Sequence, residues 1–152
     1  MPCSLRRATP DDLAALVPLF DGYRVFYKQD SDPARAEAFL AARFVAADTV
    51  ILLAQDDDGR GLGFNQLFPS WSSVRTGRLW ILNDLYVAPE GRRQGVARQL
   101  MEAALAFARE DGALGVTLAT QKDNHGAAAL YRQLGFVLDE EFDAYEYTFT
   151  ET

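Results

Sequence analysis

The sequence predicts an α/β fold in which a central, mostly antiparallel mixed sheet carries helices on both faces. Three observations lead there. Apolar residues switch between helical and strand periods in the order β-α-α-β-β-β-α-β-α-β-β. A strand-to-helix crossover in the second half adds a parallel pair to hairpin-linked strands, which makes the sheet mixed. The 152 residues, 49% hydrophobic and 24% charged, fit one globular domain spanning 1–152, and a chain of this size buries roughly 70% of its unfolded surface without a disulfide or metal staple.

Each element has its own local reason. Ser4 to Arg7 makes a short strand. Thr9-Pro10-Asp11-Asp12 then supplies a cap, a proline for the first helical position and acids for the helix dipole. The helix that follows carries Leu13, Leu16, Val17 and Phe20 on one face and is expected to run to about Asp21, with Pro18 as a possible kink. Tyr23 to Tyr27 forms an unusually aromatic connection, in which Tyr23 and Tyr27 share a face one turn apart if the helix continues through it, and a second helix covers Pro33 to Ala46 with Phe39, Leu40, Arg43 and Phe44 in register. Val50 to Ala54, the turn Asp57-Asp58-Gly59, and Leu62 to Phe68 make a hairpin. Leu79 to Val87 is a long strand whose only polar positions are Asn83 and Asp84; Pro89-Glu90-Gly91 ends it. A helical stripe of Ala97, Leu100, Met101, Ala104, Leu105 and Ala108 runs to Gly112. A strand at Gly115 to Ala119, a helix at Gly126 to Leu134, and final strands from Phe136 onward, including Tyr145 to Phe149, complete the order.

Composition narrows the function. One cysteine, Cys3, excludes an internal disulfide and favours an intracellular compartment. Lys+Arg 15 against Asp+Glu 22 gives a net charge of -7, which argues against a nonspecific nucleic-acid binder and suits a cationic small substrate. No apolar run approaches the roughly 20 residues of a membrane span, and the start lacks the apolar core of a signal peptide. A cytoplasmic protein is expected. His125 is the only histidine, so histidine-rich zinc sites are out of reach and no metal is expected. Gly59-Arg60-Gly61-Leu62-Gly63 joins two strands and lacks the spacing of a dinucleotide fingerprint.

The informative stretch is Val87-Ala88-Pro89-Glu90-Gly91-Arg92-Arg93-Gln94-Gly95-Val96-Ala97. A buried strand leads through a loop straight into an amphipathic helix, so the first N–H groups of that helix lack intrahelical partners and form an anion site. Gly95 and Ala97 leave room for a phosphate, and Arg92 and Arg93 add charge. An ordinary connection with solvated arginines has the same pattern. Downstream stand Asn124 and Ala127-Ala128-Ala129-Leu130-Tyr131-Arg132-Gln133-Leu134-Gly135-Phe136.

Taken together, Arg92-x-x-Gly95-x-Ala97 and Asn124 with the Ala127-x-x-x-Tyr131 helix ending in Gly135-Phe136 resemble the GNAT superfamily of N-acetyltransferases over nearly the whole chain. The strand Leu82 to Val87 is similar to the diamine and thialysine branch and to the yeast histone and D-amino-acid acetyltransferases. That resemblance implies a GNAT-like fold and acetyl-CoA as cofactor. Its pyrophosphate is expected at Arg92, Arg93, Gln94, Gly95, Val96 and Ala97, its pantetheine along Leu85, Tyr86 and Val87, and Asn124 beside it. Leu85 N–H is the candidate donor to the thioester carbonyl, and Tyr131 the proton donor to the departing thiolate. Asp84 is the first candidate for the base. With a single thiol far from the motif, direct transfer in a ternary complex is expected. The acceptor site is expected at Tyr23, Arg24, Tyr27, Gln66, Asn83 and Asp84, with the loop Phe68-Pro69-Ser70-Trp71 beside it. Asn83 stands where the diamine branch has an acid, so the acceptor is read as a small primary amine: an amino acid, diamine or polyamine. A protein or peptide N-acetyltransferase and a non-catalytic acetyl-CoA sensor are the alternatives. By family analogy the chain is a homodimer, with Phe142 to Phe149 as the contact.

Overall fold

The computed structural model describes residues 3–150, which divide into two compact units, one up to Ala119 and one from Thr120 onward. In the first unit, β1 (Ser4–Arg7) leads to a single 3-10 turn at Pro10–Asp12. Asp12 holds this corner: its carboxylate accepts the Thr9 backbone N–H at 2.8 Å and a two-point contact from Arg6. The first helix, α1 (Leu13–Phe26), runs past Asp21, where the sequence predicted its end. Pro18 removes one backbone donor, but Leu16, Leu19 and Phe20 are buried beneath the helix and hold the following turn in place. The aromatic stretch is therefore mostly helix and not a connection. Asp21 instead ties down the next segment, accepting from Ser31 Oγ and Asp32 N–H, both at 2.7 Å. The second helix, α2 (Pro33–Ala46), is capped by Asp32, which accepts Arg35 N–H at 3.1 Å.

Four more strands complete a sheet of order β1-β2-β3-β4-β5: β2 (Val50–Gln55), β3 (Gly61–Ser72), β4 (Gly77–Val87) and β5 (Gly115–Thr117). All pairs are antiparallel except β4 with β5, which are parallel and joined through α3 (Val96–Glu110). Adjacent residues of β3 show which helices cover which face. Phe64 packs with Leu16, Phe20 and Leu40 of α1 and α2, whereas Asn65 donates to the Leu100 carbonyl of α3 at 2.8 Å. Since neighbouring side chains point to opposite faces, α1 and α2 lie on one face and α3 on the other, as predicted. The stretch Phe68 to Trp71 is strand and not the loop expected beside the acceptor; Pro69 pairs with Trp80 and Trp71 with Arg78. Gly63 marks a close approach: a Cβ there would lie 2.7 Å from the Tyr86 backbone oxygen. Gly63→Ala is therefore expected to destabilise by about 1–3 kcal/mol, by pushing β3 from β4. A denaturant midpoint equal to wild type would contradict this.

In the second unit, α4 (His125–Gln133) starts at Asn124, whose Oδ1 accepts Ala127 N–H at 3.2 Å. Gly135, at φ 99, closes the helix in a backbone region that favours glycine. Phe136 N–H then donates back to Tyr131 O at 2.9 Å. The final strands predicted from Phe136 onward are absent: residues 136–150 form no strand. Tyr145, Tyr147 and Phe149 have the right alternation but are 94%, 86% and 83% exposed. A strand period alone does not make a strand; it also needs a partner ladder.

Candidate active site

The site begins with an irregularity in β4. Gln66 pairs with Asp84 but Leu67 pairs with Leu82, so Asn83 is one residue too many and forms a bulge. A bulge adds twist and re-aims the next side chains. β5 accompanies β4 only at Leu79, Trp80 and Ile81, so among the described residues of this unit no strand lies beside Leu82 to Val87 on that edge. The stretch containing Leu85 and Val87 thus has one free edge, which suits an extended chain carrying amide groups.

Asp84 sits on the α1 face, 2% exposed. Its carboxylate accepts from Gln66 Nε2 at 2.5 Å and from Asn83 Nδ2 at 2.6 Å. Burial pushes the Asp84 carboxyl above its ordinary value, and hydrogen bonds from Asn83, Gln66 and Tyr23 oppose part of that rise. Gln66 is itself buried, and its Oε1 has no hydrogen-bond partner. Tyr23 reaches across from α1, with its hydroxyl donating to Asn83 O at 3.3 Å. Its ring lies 5.9 Å from Phe20, 5.1 Å from Tyr27, 5.8 Å from Phe64 and 6.5 Å from Tyr86. Tyr23, Tyr27, Gln66, Asn83 and Asp84 are therefore one cluster: an aromatic wall around a buried carboxylate. Arg24 lies outside it and donates to Asp30 O at 3.4 Å.

From Val87 the chain passes a 3-10 turn, Pro89–Gly91, and the exposed residues Arg92, Arg93, Gln94 and Gly95. Gly95 caps α3 at φ 75, with no side chain hydrogen-bonded to the first N–H groups of the helix. Nothing lies within 4 Å of where its Cβ would be. Open space, uncapped N–H groups and the positive end of the α3 dipole converge, which fits a pyrophosphate. Arg92 Nε donates to Val87 O at 3.1 Å, with the guanidinium 6.0 Å from the Tyr86 ring centre, and Gln94 Nε2 donates to Glu90 O at 2.8 Å. Arg93 adopts φ 63 and helps to turn the loop. Val96 is buried as an anchor, and Ala97 is half-buried. Gly95→Val is expected to raise KM for acetyl-CoA at least roughly tenfold, because a branched side chain disfavours positive φ and covers the cradle. An unchanged KM would move the phosphate site elsewhere.

Tyr86 differs from its neighbours. Its side chain packs on the α1 face beside Gly22, where a Cβ would lie 2.7 Å from the tyrosine oxygen, and its backbone pairs with Phe64 of β3, so the free β4 edge is left to Leu85 and Val87. Asn124 and Tyr131 belong to the second unit. Asn124 caps α4, and the Tyr131 ring meets Phe136 at 5.9 Å. Sequence reasoning missed the contributions of Phe20, Phe39 and Phe64 to the aromatic wall; Phe20 and Phe39 stack at 5.4 Å. Their helical and strand periodicity looked like ordinary core. The adjacent polar pair Asn83-Asp84 in an apolar strand was the legible sign of the bulge.

A bulged strand with a free edge, running into a loop of uncapped helix N–H groups, is the framework of an acetyl-transferring enzyme. The model of the acetyltransferase (GNAT) family matches residues 14–136, and the chain belongs to that family; acetyl-CoA is the family's acetyl donor. A relative from Bacillus subtilis (strain 168), "uncharacterized N-acetyltransferase YhfO", is 44% identical over 142 residues, covering 93% of this chain and 95% of its own. The D-amino-acid N-acetyltransferase HPA3 of Saccharomyces cerevisiae is 29% identical over 134 residues, 86% of this chain and 83% of that protein. A crystal structure described as that of a probable acetyltransferase superposes with a TM-score of 0.93 at 42% identity, over 98% of this chain and 99% of the other.

Proposed function

We propose that the protein transfers an acetyl group from acetyl-CoA to the primary amine of a small molecule, an amino acid, diamine or polyamine, by direct transfer in a ternary complex. The observation that carries this reading is the buried Asp84 carboxylate, held by Gln66 and Asn83 beside the free edge of β4 and walled by Tyr23, Tyr27 and Phe64. A lysine-like amine with pKa ~10.4 is neutral in only about one molecule in 2,500 at pH 7, a cost of roughly 4.6 kcal/mol. A carboxylate whose proton affinity is raised by burial lowers that cost by receiving the proton as nitrogen attacks.

Acetyl-CoA supplies the acetyl group as an activated thioester. Along the free edge of β4, the Leu85 N–H is the donor to the thioester carbonyl, while Arg92 to Ala97 hold the pyrophosphate. Asp84 orients the ammonium and takes its proton. The Tyr131 hydroxyl donates to the departing sulfur, and Asn124 lies along the pantetheine. A phenol near pKa ~10 protonating a thiolate near ~8.5 is uphill by only about 2 kcal/mol. No cysteine takes part, so the acetyl group passes directly to nitrogen. The whole chain acts as one catalytic domain in this reading.

The test is thiol release from acetyl-CoA against amino acids, diamines, polyamines, aminoglycosides and basic peptides. Turnover confined to small amines supports the proposal. Turnover with peptides alone would make the protein a peptide N-acetyltransferase, and tight cofactor binding with no turnover would make it a sensor. Among the described residues no helix is long and apolar enough to cross a membrane, and the -7 charge disfavours nucleic acid as a partner; we read the protein as cytoplasmic. The exposed Phe142, Tyr145, Tyr147 and Phe149 support a homodimer. Sedimentation at twice the monomer mass is the expected result, and a monomer at assay concentration would reject it.

A further inference from the structure

A second cavity, about 340 Å³, opens on the α3 face of the sheet and is lined by Arg7, Asp48, Arg78, Trp80, Phe107 and Asp111 among others. It lies at the opposite end of α3 from the Arg92 to Ala97 loop, and the 15 residues of that helix set the two roughly 22 Å apart. Asp84 faces α1, so the sheet itself separates this cavity from the amine site.

Its charges are arranged in a way that packing does not require. The Arg78 guanidinium lies 4.4 Å from the Trp71 ring centre and 5.4 Å from that of Trp80, and Arg7 lies 5.8 Å from Phe107. Among the described residues neither guanidinium has an ion pair or a side-chain hydrogen bond. Two unneutralised arginines lining one cavity stand out in a chain of net charge -7. Cation–π attraction to the rings holds the two guanidinium groups without using their N–H donors, the arrangement that takes a carboxylate. The cavity also holds acceptors. Asp111 caps the negative end of the α3 dipole and accepts from Trp80 Nε1 at 2.9 Å. Asp48 accepts from Arg43 at 2.6 Å through Oδ2, while its Oδ1 is buried without a partner.

We propose that this cavity is a second ligand site, for a zwitterion of amino-acid size, with its carboxylate on Arg7 and Arg78 and its ammonium toward Asp111 and Asp48. Because the sheet lies between the cavity and Asp84, the ligand is an effector and not the acetyl acceptor.

The two tryptophans, Trp71 and Trp80, offer a local readout, because the Trp80 indole N–H is bonded to Asp111. Titration of the nitrogen-15-labelled protein with glycine, alanine or glutamate is expected to shift the Trp80 indole signal saturably, with acetate or methylamine alone at least about tenfold weaker. The shift should vanish in the Arg7→Gln, Arg78→Gln double variant, weaken about tenfold in Asp111→Asn, and persist in Asp84→Asn. Asp111→Asn keeps an acceptor for Trp80 and decides the matter even if the double variant fails to fold. No indole shift at millimolar amino acid, a shift of wild-type affinity in Asp111→Asn, or a shift abolished by Asp84→Asn would overturn the proposal.

Discussion

Asp84→Asn is expected to lower kcat/KM for the amine by roughly 10²–10⁴-fold while leaving the protein at least as stable as wild type at pH 7. Both halves follow from the same burial. The carboxylate is 2% exposed, and burial raises its proton affinity above the ordinary value of 3.8. In the folded chain the proton is therefore held to higher pH than in the unfolded chain. The resulting stabilisation is complete below the unfolded value and is lost as pH rises through the raised folded value. Above that raised value the native state carries a buried charge that asparagine would not. The amide also suits the neighbours: Asn83 Nδ2 keeps an oxygen to donate to, and a turned Gln66 amide gives its unpartnered Oε1 a donor. The difference in Tm, variant minus wild type, should accordingly be smallest near pH 4 and grow towards pH 7. A Tm several degrees below wild type at pH 7 would reveal a structural role, and activity within a few-fold of wild type would remove Asp84 as the base.

How far the sequence reveals this site depends on whether the information is local. The loop from Arg92 to Ala97 was legible because uncapped N–H groups follow from a strand running directly into a helix, and Gly95 at φ 75 marks the turn. The sheet order was legible because hairpins and one crossover leave few alternatives. Helix α1 was cut short in the sequence reading, where Pro18 is a local helix-breaking signal. The burial of Leu16, Leu19 and Phe20 is a tertiary effect that overrides it, and it brings Tyr23 against Phe64. The last strands failed for the converse reason: Tyr145, Tyr147 and Phe149 alternate correctly, but pairing depends on a neighbour that local sequence does not encode. The bulge at Asn83 is intermediate. Its two polar residues are visible, while the pairing of Gln66 with Asp84 that makes the carboxylate special is a long-range fact.

Tyr131→Phe is the second substitution with a large expected effect, a fall in kcat of roughly 10–150-fold with acetyl-CoA binding intact, the loss of one hydrogen bond to a charged sulfur at about 1.5–3 kcal/mol. Phenylalanine keeps the ring that meets Phe136 at 5.9 Å and the backbone oxygen that accepts Phe136 N–H. Only the phenolic oxygen is lost, so α4 and its closure at Gly135 should survive. The pH dependence separates a chemical role from a packing one. If the hydroxyl delivers the proton, wild-type kcat should decline on the alkaline side as the phenol ionises, and the variant should lose that limb. A packing role predicts a lower kcat with the limb retained. Since the thiolate near ~8.5 is only about 2 kcal/mol short of taking the phenol's proton, the variant keeps a slower reaction in which the sulfur leaves as the anion or is protonated by water. Residual turnover is thus part of the expectation, whereas undiminished kcat would place the proton donor on another residue.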